Sequence, residues 1–278
     1  MRRRLLAVAV LALAGLCAIV HRAAADRRGQ LMQGRVASTT ELPMTLSGMV
    51  AWYRADDLTV SSNLASGARV TAWSDRSGNG NHITNLTGTA AKQPLIYSNI
   101  FFSRAAVQFT NAAGGPTHLQ RTGPTGFSGE TGATIIAVMN FGSSSPAFGA
   151  VVITSNVVNE FRMNAGGGTM QPIWAGGGGD ATACPVGTTN NYYMGVFDDV
   201  LNQISAWSNT NGNALNPRTE AGAGFGSSII RMGCRPAETI PFDGIVAELL
   251  IYNRPFNQTE RNVIHTYMAQ RYGAFPPP

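Results

Sequence analysis

Apolar residues along this chain recur mostly at every second position, in short runs broken by glycine, proline, asparagine and serine. The runs Met49–Arg54, Val70–Trp73, Ala105–Phe109, Phe148–Thr154, Glu160–Asn164, Asn191–Asp198, Gln203–Asn209 and Ser227–Met232 read as strands. Two more, Ala133–Asn140 and Gly244–Tyr252, are apolar on both sides, so they lie between layers or under a helix. In the second, Ile245, Ala247, Leu249 and Ile251 point one way and Val246, Leu250 and Tyr252 the other, with Glu248 the only charge. Asn253-Arg254-Pro255 stops that strand, since proline has no N–H for a ladder. Asn257 and Glu260 then have the spacing of a capping box, Val263, Ile264, Tyr267, Met268 and Tyr272 form a helical stripe, and Gly273 supplies the stop. Roughly a dozen strands and one terminal helix predict an all-β, two-sheet antiparallel sandwich closed by a C-terminal helix.

Composition agrees: only 13% of residues are charged, and 32 are glycine. Residues 1–25 read as a secretory signal peptide, with Arg2, Arg3 and Arg4 ahead of an apolar run from Leu5 to Val20 and then Ala23-Ala24-Ala25. No other segment has the length of a membrane span, so none is expected once the leader is cut. The leader carries four of the 20 basic residues, and all 15 acidic residues follow it. The high isoelectric point therefore belongs mainly to the leader, and a nucleic-acid partner is not expected. Residues 26–43 are polar and aperiodic, a linker, which leaves 44–278 as one domain. An exported chain keeps Cys184 and Cys234, and an even pair in an oxidising compartment predicts a disulfide, contributing about 3–4 kcal/mol in the chain-entropy model.

The closing residues Phe242, Gly244, Glu248, Ile251, Tyr252, Arg254, Phe256, Glu260, Arg261 and Tyr272-Gly273 resemble the end of bacterial laminin-G-like, concanavalin A-like jelly-roll domains. GMVAWYRADDL (48–58), VTAWSDRSGNGNHITN (70–85) and KQP (92–94) carry the same resemblance at the front. The resemblance implies a jelly-roll sandwich. It constrains function less, because such sandwiches carry lectins, hydrolases, lyases and adhesion modules alike.

No strand offers alternating carboxylates for glycoside cleavage: Glu248 stands alone, and Asp198 and Asp199 are adjacent and face opposite ways. Neither a lyase-like Gln-x-His pattern nor a Gly-x-Ser-x-Gly elbow occurs, and of four histidines His21 is in the leader. These absences predict a chain that is not an enzyme. Glu248 reads as a buried partner for an arginine, Arg254 or Arg231. Asp75, Asn79 and Asn81, with Asp243 or the pair Asp56-Asp57 supplying a second carboxylate, form the best calcium candidate, although Ser-Gly-Asn-Gly-Asn is also what tight turns are made of. Trp174, in a glycine-rich stretch, with Asn190 and Tyr192 on the same rim, is the candidate sugar platform, whereas Trp52, Trp73 and Trp207 read as core. The expectation is an exported, non-catalytic module recognising a polysaccharide or surface glycan, with calcium assistance as an option. A structural or adhesive component of a surface or virion assembly, or a divergent polysaccharide hydrolase or lyase, are the alternatives.

Overall fold

The computed structural model describes residues 42–112, 114–123, 125–126, 132–141, 148–153, 159–164, 169–174, 184–185, 190–198, 200–201, 203–208, 218–219 and 229–273. The leader and most of the linker lie outside these residues. The chain divides into two units, Met1–Thr45 and Leu46–Pro278. Within the first, the described residues form one 3-10 turn, Leu42–Thr45, in which the Thr45 hydroxyl donates to the carbonyl of Leu42.

In the second unit the strands are, in chain order, β1 (Met49–Arg54), β2 (Ala72–Trp73), β3 (Ile83–Thr84), β4 (Leu95–Phe101), β5 (Arg104–Phe109) and β6 (Asn111–Ala112). There follow β7 (Gly115–Pro116), β8 (Leu119–Thr122), β9 (Gly132–Phe141), β10 (Phe148–Ile153), β11 (Asn159–Asn164) and β12 (Thr169–Trp174). The last six are β13 (Cys184–Pro185), β14 (Asn191–Asp198), β15 (Gln203–Ser208), β16 (Arg218–Thr219), β17 (Ile229–Met232) and β18 (Gly244–Tyr252). Among the described residues the unit also holds two α-helices, α1 (Ala55–Val60) and α2 (Gln258–Tyr272), and two short 3-10 turns, Ala90–Lys92 and Pro236–Glu238.

One eight-stranded sheet runs β16-β15-β14-β9-β18-β5-β4, with β1 also on β18; the other runs β13-β12-β11-β10-β17-β8-β3-β2. All named pairings are antiparallel, as expected from the sequence pattern. Between the sheets lies the core, where Phe109, Ile135, Ala137, Tyr193, Phe197 and Leu249 of the first meet Trp73, Ile83, Leu119, Val151, Ile230 and Met232 of the second. Among the described residues no helix is long and apolar enough to cross a membrane.

Strand β18 departs from simple alternation. Its register against β9 shifts between Val246 and Glu248, which is a bulge at Ala247. The bulge reverses the phase. Val246 therefore joins Leu249 and Ile251 in the inter-sheet core, while Glu248 lies on the outer face. The expected grouping of Ile245 and Ala247 with Leu249 holds only if the pleat is continuous, and it is not.

That outer face is covered by α2. Asn257 Oδ1 accepts from the Glu260 N–H at 3.1 Å and Glu260 Oε2 from the Asn257 N–H at 3.0 Å, the reciprocal box anticipated from the sequence. Gly273 ends the helix in the left-handed region at φ 69°, which a residue without Cβ adopts freely. The buried stripe is Ile264, His265, Tyr267, Met268 and Tyr272; His265 takes the place expected for Val263.

Candidate functional site

Glu248 is fully buried at the centre of the covered face. Its Oε1 accepts from Trp52 Nε1 and the Tyr267 hydroxyl, each at 2.6 Å, and its Oε2 from Arg271 Nε at 2.8 Å and the Tyr272 hydroxyl at 2.7 Å. The sequence reading of a buried arginine partner is right in kind, but the partner is Arg271, not Arg254 or Arg231. Arg271 also reaches Asp56 at 2.6 Å, which Arg104 contacts at 3.1 Å. Burial first, and then the neighbouring carboxylate, push the Tyr267 and Tyr272 hydroxyls well above the ordinary phenol range. Sealed beneath a helix, this cluster joins β1, β18, α1 and α2; it offers no access to a ligand.

The loop expected to hold calcium is a self-satisfied turn. Asp75 Oδ1 accepts from the N–H groups of Trp52 and Ser77, both at 2.9 Å; Oδ2 accepts from Ser77 Oγ at 2.7 Å and the Asn81 N–H at 2.9 Å. Asn79 and Asn81 direct their amide NH₂ groups to the backbone of β1, at 2.7 Å to the Met49 carbonyl and 2.8 Å to that of Val50. Asp243 is elsewhere. It precedes the start of β18, whereas Asp75 sits against Trp52, which pairs with Leu250 six residues further along. At ~3.3 Å per residue that is about 20 Å, too far for one ion. Among the described residues no group of three or more His, Cys, Asp or Glu is placed to hold a metal.

Of the expected sugar platform, Trp174 ends β12 opposite Asn159, and its side chain lies outside the described residues. Asn190 Oδ1 accepts from Asn140 Nδ2 at 3.1 Å. Tyr192 is not on a rim: only 3% exposed, it sits beneath α2, where its hydroxyl and His265 Nδ1 share a hydrogen bond. It faces the helix because β14 alternates, with Tyr193 and Phe197 turned inward and Tyr192, Met194 and Val196 outward.

The expected disulfide is not formed. Cys234 is a free, buried thiol whose Sγ accepts from Arg231 Nη2 at 3.1 Å. It follows β17, and β10, β11 and β12 intervene between β17 and the strand of Cys184. Four steps of ~4.8 Å leave the two far beyond the ~7 Å Cα separation a disulfide tolerates.

Among the described residues, one accessible cleft was not flagged by the sequence. Beyond the N-terminal end of α2, the outer face of β14 and β15 lies open as a cleft of about 490 Å³. Its floor is Val196 and Asp198 from β14 with Gln203, Ser205 and Trp207 from β15; Leu201 stands at one end, and Phe256, Gln258 and Arg261 form the helix-side wall. Ile204 and Ala206 point into the core, so Gln203, Ser205 and Trp207 must point out. The side chains of Gln203, Ser205 and Trp207 make no hydrogen bond among the described residues. Trp207 is buried, as expected, but on the outer face of the sheet, where the Arg261 guanidinium lies 4.4 Å from its ring centroid. Arg261 donates from Nη1 to the Phe256 carbonyl at 2.7 Å and from Nη2 to Gln258 Oε1 at 2.6 Å. Burial lowers its pKa, while Glu260 pulls the other way. The alternation of Gln203, Ser205 and Trp207 was visible in the sequence; that this face meets a groove was not.

No protein-family model and no curated protein matches the chain. Solved structures do. The binding domain of Paraclostridial Mosquitocidal Protein 1 superposes with a TM-score of 0.51 at 12% identity, over 80% of this chain and 52% of that one. Trypanosoma rangeli sialidase in complex with the inhibitor DANA gives a TM-score of 0.49 at 12% identity, over 81% of this chain and 33% of the sialidase. The chain thus spans about a third of the sialidase's length and about half of the binding-domain structure. At such identity the likeness is one of fold, a β-sandwich. The expectation of a chain that is not an enzyme is corrected by this finding: the solved structures similar to the chain include sialidases, so its fold does not mark it as non-catalytic.

Proposed function

We propose that the protein recognises carbohydrate through the β14–β15 cleft, on the concanavalin-like or laminin-G-like sandwich that the sequence motifs resemble. The observation that carries the reading is the set of polar side chains on the cleft floor, of which Gln203 and Ser205 make no side-chain hydrogen bond among the described residues. The Gln203 amide, the Ser205 hydroxyl and the Asp198 carboxylate stand beside apolar Val196 and Leu201, in a groove of the size that small-molecule ligands fill. Sugars need this mixture, because each ring carries hydroxyls that both donate and accept and an apolar C–H face. Export, read from the leader, would bring such a cleft to polysaccharide outside the cytoplasm.

Gln203→Ala tests the proposal, since it removes no hydrogen bond within the described protein. Calorimetric titration with a panel of soluble polysaccharides and their oligomers should find a ligand, and the variant should bind it about tenfold more weakly at an unchanged melting midpoint, the loss of one hydrogen bond to the ligand. Chromatography of the same samples reads any cleavage. A panel without a binder, or a variant that binds like the parent, refutes the assignment of the cleft.

A further inference from the structure

We infer that the ligand of this cleft carries a carboxylate, received by Arg261 at the Trp207 end; the inference rests on the carbohydrate reading above. Both hydrogen bonds of the Arg261 fork go to neutral acceptors, the Phe256 carbonyl and the Gln258 amide oxygen. The nearest acid in sequence, Glu260, is engaged elsewhere: its Oε1 pairs with Arg254 at 2.5 Å and its Oε2 holds the Asn257 N–H. Arg261 therefore has no carboxylate within ion-pair distance among the described residues, although it is half-buried. Its Nε–H is buried with no acceptor among the described residues. A guanidinium has five donors, so most of its capacity is unused.

The indole beneath it sharpens the argument. Trp207 is 8% exposed, and the face turned outward is taken by the guanidinium. A pyranose cannot stack there without displacing Arg261. The indole instead holds the guanidinium against its ring, and such a fork suits two parallel N–H···O contacts to a planar anion. Asp198, the acid lining the same cleft, is distant from this end. It pairs with Gln203 on β15 while Trp207 pairs with Met194, four residues along, or about 13 Å at ~3.3 Å per residue. Asp198 Oδ1 is also capped by the Leu201 N–H at 3.0 Å. The cleft is thus polarised, with a hydroxyl-accepting carboxylate at one end and, at the other, a cation with no ion-paired carboxylate among the described residues.

The test compares oligouronates with the same oligosaccharides after chemical reduction of their carboxyl groups, titrated into the full chain. The acid forms should bind about tenfold or more tightly than the reduced forms, and the gap should narrow as salt rises. Arg261→Gln should close the gap while binding of the reduced form persists, and Arg261→Lys, which keeps charge without the fork, should restore only part of it. The melting midpoints of both variants report folding; if Arg261→Gln does not fold, Arg261→Lys decides. Equal binding of acid and reduced forms by the parent overturns the inference and leaves the carbohydrate reading standing. A preference that survives in both variants also overturns it, because the anion would then be read elsewhere. Failure of every oligosaccharide, acid or reduced, overturns both.

Discussion

Glu248 sets the sharpest test of how this fold is held. It is fully buried, and its four donors belong to side chains no more than 9% exposed: Trp52, Tyr267, Tyr272 and Arg271. Glu248→Ala strands two phenol hydroxyls, an indole N–H and one face of a guanidinium in a place water does not reach. Each orphaned neutral donor costs about 1–3 kcal/mol, and breaking a buried ion pair costs about 3–5 kcal/mol. These costs overlap, because the cavity relaxes once and Arg271 retains Asp56 at 2.6 Å. We therefore expect a loss of about 4–5 kcal/mol for Glu248→Ala, a fall of about 10–15 °C in Tm for a domain of this size. Glu248→Gln keeps the shape and one acceptor oxygen but turns an NH₂ toward donors, and should lose about 2–3 kcal/mol. Urea unfolding read by tryptophan fluorescence gives both numbers, provided the m-values agree. A loss below about 1 kcal/mol for Glu248→Ala, or a glutamine variant less stable than the alanine one, would refute the assignment of this carboxylate as the pin of α2.

Two further outcomes follow from the same geometry. Asp75→Ala removes the acceptor of four protein donors and should lower stability by about 2–4 kcal/mol, equally in calcium and in EDTA; a calcium-dependent rise in Tm that this variant abolishes would show the turn to be an ion site after all. For Asp56, burial favours the neutral acid, yet the Ala105 N–H and the Arg271 and Arg104 guanidiniums outweigh it and hold the pKa below the usual value. A depressed folded pKa stabilises above the unfolded value of ~3.9 and is lost as pH falls through the folded one, so the stability gap between parent and Asp56→Asn should be full at neutral pH and close below about pH 4. Parallel pH–stability curves would contradict that.

What could be read from the sequence was what neighbours in the chain decide. The capping box at Asn257, the Gly273 stop and the strands bounded by turn residues depend on contacts a few residues apart, and they are present. What depends on partners far along the chain was not readable. The bulge at Ala247 exists only against β9, so the facing of β18 was misassigned on one side of it. The Cys184–Cys234 pairing looked sound until the order of strands put three others between them. Tyr192, expected on a rim, and Trp207, expected between the sheets, are both buried on the outer face for the same reason. Each sits at an outward position of its strand, and whether that position is covered depends on where a helix more than 50 residues further along comes to rest.

That helix also explains why the open site lies where it does. α2 crosses the outer face of the first sheet, with Tyr272 and Arg271 pinned to Glu248 at its C-terminal end and its first turn standing over β15. The central strands are sealed beneath it, and the groove remains where it stops short. The stop is chemical: Pro255 and the Asn257 cap fix the first helical turn, and that turn carries Gln258 and Arg261. The same corner is packed against the sheet. A Cβ on Gly132 would lie 2.4 Å from the Phe197 carbonyl and 2.6 Å from Pro255 Cδ, so the approach of the corner to β9 and β14 requires glycine there. The cleft is therefore shaped by the cap and by one glycine on the neighbouring strand, whereas Glu248 secures the far end of the helix. Damage at the two ends should separate, with stability governed by the buried carboxylate and ligand geometry by the capped corner.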